Sequence, residues 1–372
     1  MAGDRMAGDR MAGDAAAVAA ARAGDERAFT ALVESHRAEL RVHCYRMLGS
    51  LDEAEDLVQE TFLRAWKNLS GFAGRSTIRA WLYRIATNAC LDVLRGRARR
   101  VLPHHLAPPS DPSSQAHPPT DVPWLQPLPD RLTGPVRLTG PSGVPEPAAP
   151  SEDEPDAAVV TRETIELAFL AAIQHLPPRP RAVLILRDVL GWPAKQTAAL
   201  LDSSVASVNS SLQRARAVLR EQLPARRLDW APAARPTEEE QAVLRRYMAA
   251  VRGADLEAVA GLLAEDVRTT MPPLPVWFHG RDQVVAALAA SWDPGSAAYV
   301  GQLRMVPTAA NRQPAAACYA RHPGEARYRA FAIAVLRISD GRIAEITAFH
   351  DTRLFPAFGL PETLQEPEPP AR

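Results

Sequence analysis

The stretch Leu51-Asp-Glu-Ala-Glu-Asp-Leu-Val-Gln-Glu-Thr-Phe-Leu-Arg-Ala-Trp66 joins an acidic segment to an apolar stripe. Leu57, Val58, Phe62 and Trp66 recur at helical spacing, which predicts an amphipathic helix. Its charged side is wholly acidic up to Glu60, with Asp52, Glu53, Glu55, Asp56 and Glu60. A charge run of this kind is usually a solvated face, and the alternative is a surface for a basic or polar protein partner.

A second helical segment of opposite charge follows a Gly/Ser loop at 68–77. From Arg75 to Arg100 there are seven arginines against one acid, Asp92. Loop and helix mix cations, amides and aromatics, a combination that can hold an unstacked base and its phosphates. The alternative is that the aromatic residues are core and the arginines are solvated. The candidate nucleic-acid contacts are Asn68, Ser70, Arg75, Ser76, Arg79, Trp81, Tyr83, Arg84 and Asn88.

The totals are consistent with a multi-domain chain without a membrane segment. The 372 residues carry 43 basic and 43 acidic side chains, so local charge is more informative than the sum. The three cysteines form no metal-ligand or disulfide pattern, and we expect a reducing, cytoplasmic setting with no metal and no cofactor. No apolar run approaches the roughly 18 residues of a membrane span, and the N-terminus does not resemble a signal peptide.

Composition shifts divide the chain into segments. Fifteen prolines between 101 and 155 predict an extended linker, in which the isolated Trp124 either docks on the protein or is incidental. The predicted boundaries are a disordered leader at 1–24, a helical unit at 25–100, the linker at 101–155, a second helical unit at 156–223, a short linker at 224–236, an α+β unit at 237–350 and a tail at 351–372.

The second helical unit has a helix-turn-helix pattern. Two helices are separated by Asp202-Ser203-Ser204, and Ser204 is a plausible N-cap. Val205, Val208, Leu212, Ala215 and Leu219 are predicted to face inward. Hydroxyls and arginines on the other side suit a helix that enters a DNA major groove, although an ordinary amphipathic helix is the alternative. The candidate DNA contacts are Ser204, Ala206, Ser207, Ser210, Gln213, Arg214 and, by snorkelling out from the inward side, Arg216.

The last third changes period from helical to strand-like. Helices at 238–251, 255–263 and 282–291 are followed by strands at 301–306, 315–321, 327–338 and 342–349. Ser339-Asp-Gly-Arg342 predicts a tight hairpin between the last two strands. Helices followed by an antiparallel meander indicate an α+β domain.

Two long motifs resemble one family. Phe29–Val33, Ala54–Trp66 and Trp81–Asp92 closely resemble region 2 of sigma-70 family factors of the extracytoplasmic-function type. The motifs Leu176–Leu184, Arg187–Trp192 and Ser204–Arg216 resemble region 4 of the same family. Pro180 departs from the family, which often carries Gln there; it falls in the first turn of a helix, where a missing N–H is tolerated.

The resemblance implies functions for these segments. The acidic helix would dock on the β′ clamp helices of core RNA polymerase, and region 4 would contact the β flap. The loop at 68–77 and the helix after it would read and melt the −10 element, and helix 205–220 would read the −35 element of promoter DNA. The residues assigned to polymerase are Asp52, Glu53, Glu55, Asp56, Leu57, Gln59, Glu60, Phe62 and Trp66.

The C-terminal segment resembles the SnoaL-like branch of the nuclear-transport-factor-2 fold, a cone with a pocket. The resemblance rests on Asp266-Val267, Trp277-Phe-His-Gly280 and the closing Asp340-to-His350 strand. With the Trp124-Leu-Gln-Pro127 segment, it points to a long-linker subgroup that carries such an extension. The candidate pocket residues are Met271, Trp277, His279, Trp292, Tyr328, Phe349 and His350.

These observations predict two all-α sigma domains and an α+β cone. We expect an alternative sigma factor whose C-terminal domain regulates activity through a small-molecule or intramolecular ligand, and not an enzyme. A ligand-sensing regulator that works without polymerase is one alternative, and a cyclase-like or isomerase-like enzyme is another. Catalysis would need an acid–base pair, and His350 and Asp351 are adjacent on a strand, so they point to opposite faces.

Overall fold

The computed structural model describes residues 16–72, 74, 76–112, 122–133, 165–223 and 236–365. The chain forms two compact units. The first, called here the helical unit, contains residues 1–99 and 132–232. The second, called the C-terminal unit, contains residues 100–131 and 233–372. The division assigns the described part of the Pro-rich linker up to Arg131 to the C-terminal unit.

Five helices form the first half of the helical unit. They are α1 through residues 16–22, α2 (Glu26–Glu34), α3 (Arg37–Leu48), α4 (Leu51–Lys67) and α5 (Ile78–Val93). Side chains at their starts accept backbone N–H groups of the first turn: Asp25 for α2, Ser50 for α4 and Thr77 for α5. Helices α3, α4 and α5 pack on one another and bury the apolar stripe that the sequence predicts.

The leader is ordered over part of its length. Residues 1–15 lie outside the described residues, but residues 16–22 are helical, and Val18 and Ala21 are buried. Arg22 also donates to the carbonyl of Leu69. The prediction of a disordered leader up to residue 24 was therefore wrong for residues 16–22. An Ala-rich segment has high helix propensity, and this one gains an apolar contact.

Four helices form the second half of the helical unit. They are α6 (Leu167–Ile173), α7 (Pro178–Leu184), which continues into a π-helical turn at Ile185–Val189, α8 (Ala194–Leu200) and α9 (Val205–Gln222). Ser204 Oγ accepts the N–H of Ser207 at 3.1 Å, which confirms the predicted N-cap of α9. Val205, predicted to face inward, is 42% exposed because it lies in the first turn, beyond the surface that α7 and α8 cover.

In its described residues, the C-terminal unit contains a seven-stranded sheet and three α-helices. In chain order they are α10 (Glu238–Arg252), α11 (Leu256–Leu262), β1 (Leu263–Thr270), β2 (Trp277–His279), α12 (Arg281–Trp292), β3 (Gln302–Ala310), β4 (Gln313–Arg321), β5 (Tyr328–Ser339), β6 (Arg342–Phe349) and β7 (Thr363–Leu364). The strand order is β2-β1-β6-β5-β4-β3, and β7 pairs with β5. The sequence predicts the antiparallel meander, but not that β1 joins it parallel to β6.

The predicted hairpin between β5 and β6 is present. Ser339 pairs with Arg342, and Asp340 and Gly341 both have positive φ angles, of 52° and 70°. Two successive positive φ angles are the geometry that an Asp-Gly turn supplies at low cost. This turn sets the register of β5 and β6 and therefore which of their side chains face the helices.

The two faces of the sheet are covered differently. On β6, Ile346 joins the apolar core under the helices, together with Leu336 and Ala334 of β5. Residues 345, 347 and 349 alternate to the other face. There Glu345 binds Arg268 and Arg337, and Phe349 lies directly opposite Ile333. The helix-side face is the candidate cone interior.

Candidate functional site

The acidic helix α4 presents one narrow exposed stripe. Glu53, Glu55 and Glu60 form ion pairs with arginines: Glu53 with Arg97, Glu55 with Arg41, and Glu60 with Arg64. The exposed residues between Leu51 and Leu63 are Asp52, Asp56, Gln59 and Leu63, spaced four, three and four residues apart. This spacing puts them on one helix face. Leu63 is 57% exposed and was absent from the predicted set; its place one turn after Gln59 is the signal that could have indicated it.

The apolar residues assigned to polymerase have structural contacts. Phe62 is buried, with the Arg37 guanidinium 5.0 Å from its ring centroid. Trp66 packs on Phe29 with ring centroids 4.9 Å apart, and Leu57 is half-buried. These three side chains hold α4 in place, and the exposed stripe is what α4 offers to a partner.

Arg79 of helix α5 lies in a nearly buried polar cluster. Its Nε donates to Glu39 Oε2 at 2.7 Å, and its guanidinium lies 5.0 Å from the centroid of Tyr83. Burial raises the pKa of Glu39, but the hydrogen bond from His36 and the charge of Arg79 outweigh it, so the pKa is lowered overall. The predicted DNA contact Arg79 is therefore already neutralised inside the protein.

Tyr83 and Trp81 are also packed in the helical unit. Tyr83 is 1% exposed and lies between His43, at 4.9 Å, and Trp192, at 5.3 Å between ring centroids. Desolvation raises the pKa of the Tyr83 phenol. Trp81 is half-buried and lies 5.0 Å from Phe72. The reading in which the aromatic residues are core describes Tyr83 well and Trp81 in part.

The remaining α5-side candidates lie near the surface. Arg84 is about half exposed and forms an ion pair with Asp202 at 3.1 Å. Asn88 lines a surface cleft with Arg95 and Arg179. Asn68, Ser70 and Ser76 are exposed in the preceding loop, whereas Arg75 lies outside the described residues. The structure thus brings together an exposed loop and the outer side of α5.

His43 lies beneath this surface and is held neutral. The Thr87 hydroxyl donates to the carbonyl of Tyr83 at 2.7 Å, so its oxygen accepts from His43 Nε2 at 2.9 Å. His43 Nδ1 is buried, and no group in the described part of the chain forms a hydrogen bond with it. A proton on Nδ1 would be an unsatisfied buried donor, and desolvation lowers the pKa of His43 to about 3.

Helix α9 exposes most of its predicted DNA-contact face. Ser204, Ala206, Ser207, Ser210, Gln213 and Arg214 are exposed. Val208, Leu212, Ala215 and Leu219 are buried, as predicted. Asn209 is exposed on the same side and was not predicted, although an amide one turn after Ala206 is a residue type that can read a base edge.

Arg216 does not join that face. Its Nε and Nη2 bind the two carboxylate oxygens of Asp188 at 2.8 and 2.9 Å. The Asp188 side chain is 6% exposed and that of Arg216 is 14% exposed. The guanidinium is therefore turned toward the π-helical turn after α7 and away from the exposed face. Arg216 holds α9 on its neighbour, and Arg214 remains the exposed arginine predicted to read DNA.

Comparison with known proteins matches all three folded regions. Residues 32–100 match the Sigma-70 region 2 family, residues 166–219 match Sigma-70, region 4, and residues 244–346 match the SnoaL-like domain family. The chain is 43% identical over 349 residues to the ECF RNA polymerase sigma factor SigG of Mycobacterium tuberculosis, which covers 92% of this chain and 86% of that protein. The chain belongs to the ECF RNA polymerase sigma factors. It is a transcription initiation factor and not an enzyme, and sigma factors of this type bind core RNA polymerase and promoter DNA.

A second relative matches along nearly the whole chain. The ECF RNA polymerase sigma factor SigJ of Mycobacterium tuberculosis is 27% identical over 347 residues, which covers 90% of this sigma factor and 95% of that protein. The crystal structure of SigJ superposes with a TM-score of 0.54 at 22% identity, covering 88% of this chain and 98% of that one. This likeness shows the shared fold. Among the described helices of the sigma factor, none is long and apolar enough to cross a membrane.

The C-terminal unit of the sigma factor separates the predicted pocket residues. Met271 and Trp292 pack against the helix-side core, and His350 lies with Phe331, at 4.8 Å between ring centroids. Trp277 and His279 pair with Thr270 and Arg268, so they share the opposite face with Phe349. The Tyr328 ring has the Arg321 guanidinium 4.7 Å from its centroid. Three of the seven candidates therefore lie on the helix side.

His350 has the environment of an uncharged hydrogen-bonding group. Desolvation lowers its pKa to about 4. The adjacent Asp351 binds Arg353 through both carboxylate oxygens, at 2.9 and 2.8 Å. Two polar atoms of the helix-side core, Thr269 Oγ1 and Trp292 Nε1, are buried and have no hydrogen-bond partner among the described residues. Together these groups suit an uncharged ligand better than acid–base chemistry.

The linker of the sigma factor is held on the C-terminal unit. Trp124 is 9% exposed, and Leu125 and Leu128 are 1% and 0% exposed. Arg312 N donates to Asp130 Oδ1 at 2.8 Å, and the Arg131 guanidinium donates to the carbonyls of Ala357 and Pro356. Of the two readings of Trp124, docking is the one observed.

Trp277 holds an earlier part of the same linker. Its Nε1 donates to the carbonyl of Ala107 at 2.8 Å, and its own carbonyl accepts from Ser110 N at 2.8 Å. The predicted pocket residue is therefore a linker contact. Sequence periodicity could not show this, because the linker has no period to match.

Proposed function

We propose that this sigma factor uses separate exposed faces for polymerase and for the two promoter elements. The stripe of Asp52, Asp56, Gln59 and Leu63 on α4 binds the β′ clamp helices, and region 4 contacts the β flap. The loop at 68–77 and the outer side of α5 read and melt the −10 element. The α9 face, with Arg214 and Asn209, reads the −35 element. The observation that carries this proposal is the segregation of the acidic stripe from the hydroxyl-rich and arginine-containing face of α9.

Charge supports this division. Asp56 is exposed and makes no ion pair within the described residues, so a basic or polar protein surface can approach it. DNA cannot, because its phosphates would repel an uncompensated carboxylate. The α9 face from Ser204 to Gln213 contains no acid, and small hydroxyl side chains let a helix approach base edges closely.

Reconstituted transcription tests the division. Core polymerase is mixed with the wild-type protein, Asp56→Arg or Arg214→Ala, and start sites are mapped on a genomic template library. Asp56→Arg should lose co-purification with core polymerase, whereas Arg214→Ala should keep it and lose promoter selection. If Asp56→Arg binds core polymerase with wild-type affinity, α4 is not part of the polymerase interface.

The C-terminal unit controls the linker in this proposal. In a working initiation complex the linker is expected to thread toward the polymerase active-centre channel, so residues 100–131 must leave the C-terminal unit. Burial of Leu125 and Leu128 makes that release costly, at about 1.5–3 kcal/mol for each leucine fully exposed. The C-terminal unit therefore competes with polymerase for the linker, which agrees with a regulatory extension.

The helix-side core of the C-terminal unit is the second proposed control point. Met271, Trp292 and His350 would receive an uncharged, largely apolar ligand, with Trp292 Nε1 as a donor. Binding there would shift the linker equilibrium only if the ligand prefers one linker state. Thermal shift with a panel of apolar small molecules, compared between wild type and Trp292→Phe, tests this; a ligand that stabilises both proteins equally does not use the Trp292 N–H.

A further inference from the structure

The helix in the leader is tied to the loop that precedes α5. Arg22, at the end of α1, donates from Nε to the carbonyl of Leu69 at 3.4 Å, and its guanidinium carbon lies 5.9 Å from the centroid of the Phe72 ring. Val18 and Ala21 are buried, so α1 is packed against the protein. The hydrogen bond and the cation–π contact act on the same short segment of the loop. The leader helix therefore contributes a cation to a loop 47 positions away.

The Leu69 carbonyl also closes a folded turn of this loop. Leu69–Gly71 form one turn of 3-10 helix, in which the N–H of Phe72 donates to that same carbonyl at 3.1 Å. A carbonyl oxygen can accept two hydrogen bonds, and this one has two donors. The Leu69 and Phe72 side chains are 4% and 8% exposed. The first half of the loop is therefore held by its own apolar side chains and by Arg22.

Phe72 connects this turn to helix α5. Its ring packs on Trp81, with centroids 5.0 Å apart and planes tilted by 40°. Trp81 is half-buried, so part of the indole remains available to another ring. The Thr77 hydroxyl accepts the N–H of Ala80 at 3.2 Å, which fixes the start of α5 and the far end of the loop. Contacts thus run from Arg22 through Phe72 to Trp81.

We propose that Arg22 is a positioning residue for the −10 element. It holds the turn at 69–72 and the Phe72 ring, so that Trp81 offers a fixed surface to an unstacked base. This inference rests on the proposed assignment of the loop and α5 to the −10 element. An aromatic side chain can stack on a base of any type, because every base has a π face. Stacking is most favourable when the ring is already held in place, because less side-chain freedom is lost on binding.

The location of Arg22 separates this role from a general role in folding. The core of region 2 consists of apolar side chains of α3, α4 and α5, whereas Arg22 is exposed and its guanidinium contacts the loop. Arg22→Ala should therefore unfold at a midpoint close to that of the wild type. Arg27, an exposed arginine of α2, is the matched control for the loss of one positive charge.

An abasic scan of the promoter tests the role of Arg22. Holoenzyme is assembled from core polymerase and the full-length protein, and its affinity is measured for a mapped promoter whose non-template strand lacks one −10 base at a time. The wild type should lose at least about tenfold in affinity where the missing base is the one that stacks on Trp81. Arg22→Ala should bind the intact promoter about fivefold to tenfold more weakly and lose little more at that position. Arg27→Ala should reproduce the wild-type profile.

Further variants make the readout specific to the stack. Trp81→Ala should lose the sensitivity to the missing base at the same position. In the double variant of Arg22→Ala and Trp81→Ala the two losses of affinity should not add, because both residues serve one stacking contact. Arg22→Lys keeps a cation and a donor at the end of α1, so it should recover most of the affinity for the intact promoter. Thermal unfolding of each protein checks that it is folded.

The positioning role and the assignment on which it rests fail in different ways. If no missing −10 base weakens binding by the wild type, or if Trp81→Ala keeps the wild-type profile, the assignment is wrong and Arg22 has no base to position. If Trp81→Ala loses the sensitive position but Arg22→Ala gives a profile parallel to that of the wild type, weakened or not, the assignment stands and the positioning role is wrong. Loss of the same position in both variants would support both.

Discussion

The backbone N–H of Leu128 donates to Asn311 Oδ1 at 2.9 Å, and the backbone N–H of Asn311 donates back to the carbonyl of Leu128 at 2.9 Å. Asn311 lies in the turn between β3 and β4, with φ of +56°. The sequence places these two residues far apart, in a linker and in a hairpin. Their reciprocal bonds make the linker a structural part of the C-terminal unit.

Loss of the Asn311 side chain should release the linker. Asn311→Ala leaves the buried Leu128 N–H without its acceptor, which costs about 1–3 kcal/mol. Asn311→Asp keeps an acceptor oxygen and tolerates the same positive φ, so it is the matched control. Hydrogen exchange at Leu125 and Leu128 should accelerate in the alanine variant and much less in the aspartate variant. Equal rates in all three proteins would contradict the role of Asn311.

Truncation of a buried linker leucine should have a similar effect through packing. Leu128→Ala removes a side chain with no exposed surface and should destabilise linker docking by about 2–5 kcal/mol. Leu106 lies in the same linker but is 47% exposed, so Leu106→Ala should change the free energy of linker docking by less than about 0.5 kcal/mol. Limited proteolysis between residues 100 and 131 reports docking. Faster cleavage of the Leu106 variant than of the Leu128 variant would refute the packing argument.

Two neighbouring arginines on α9 should respond differently. Arg216→Ala leaves Asp188 buried without its partner, so we expect a loss of about 3–5 kcal/mol in stability, seen as a lower unfolding midpoint. Arg214→Ala should unfold like the wild type but lose about 1–3 kcal/mol of promoter binding at one −35 position. An equal loss of affinity for all promoter sequences would show that Arg214 contacts a phosphate and does not read a base.

Leu63 should matter for polymerase binding and little for folding. Leu63→Asp changes an exposed side chain, so the free energy of unfolding should change by less than about 0.5 kcal/mol. Its affinity for core polymerase should fall. Phe62→Ala, one position earlier and buried, should instead cost about 3–5 kcal/mol of stability. Calorimetry and polymerase pull-down separate the two effects. A Leu63→Asp protein that retains full polymerase affinity would exclude Leu63 from the interface.

Region 2 should lose stability below neutral pH because of His43. The folded state lowers the pKa of His43 to about 3, so the unfolded chain takes up a proton first as pH falls below about 6.5. The stabilisation is therefore complete above pH 6.5 and is lost as pH falls, by about 2 kcal/mol at pH 5 for this group. His43→Gln keeps a donor for Thr87 and should flatten the pH dependence. Hydrogen exchange of the α3 and α5 amides, followed as a function of pH, measures this stability. His279→Gln, in the other unit, is the control.

Much of the helical unit was predictable, and the reasons are local. Helical periodicity and the caps at Ser50 and Ser204 depend on residues within a few positions of each other, so α4 and α9 could be read from the sequence. The exposure of Ser207 and Arg214 follows from the same periodicity. Arg216 was misplaced among the DNA contacts because its partner Asp188 lies 28 positions away.

The candidate pocket was less predictable for a similar reason. The faces of Trp277 and Phe349 depend on the register between β1, β2 and β6. The parallel pairing of β1 with β6 has no signal in a sequence that otherwise indicates a meander. Only helix-side residues such as Met271 and His350 were placed together by the fold.

The sequence by itself determined the domain order, the helix faces and the charge difference between α4 and the DNA-contact face of α9, because all of these depend on side chains close together along the chain. Only the tertiary structure decided which charges are already paired and which segments are held. The Arg181 bond to Met47 O and the Leu128 bonds to Asn311 join residues 134 and 183 positions apart. Contacts at that separation form when packed elements bring donors and acceptors within hydrogen-bond distance, and no local pattern encodes them.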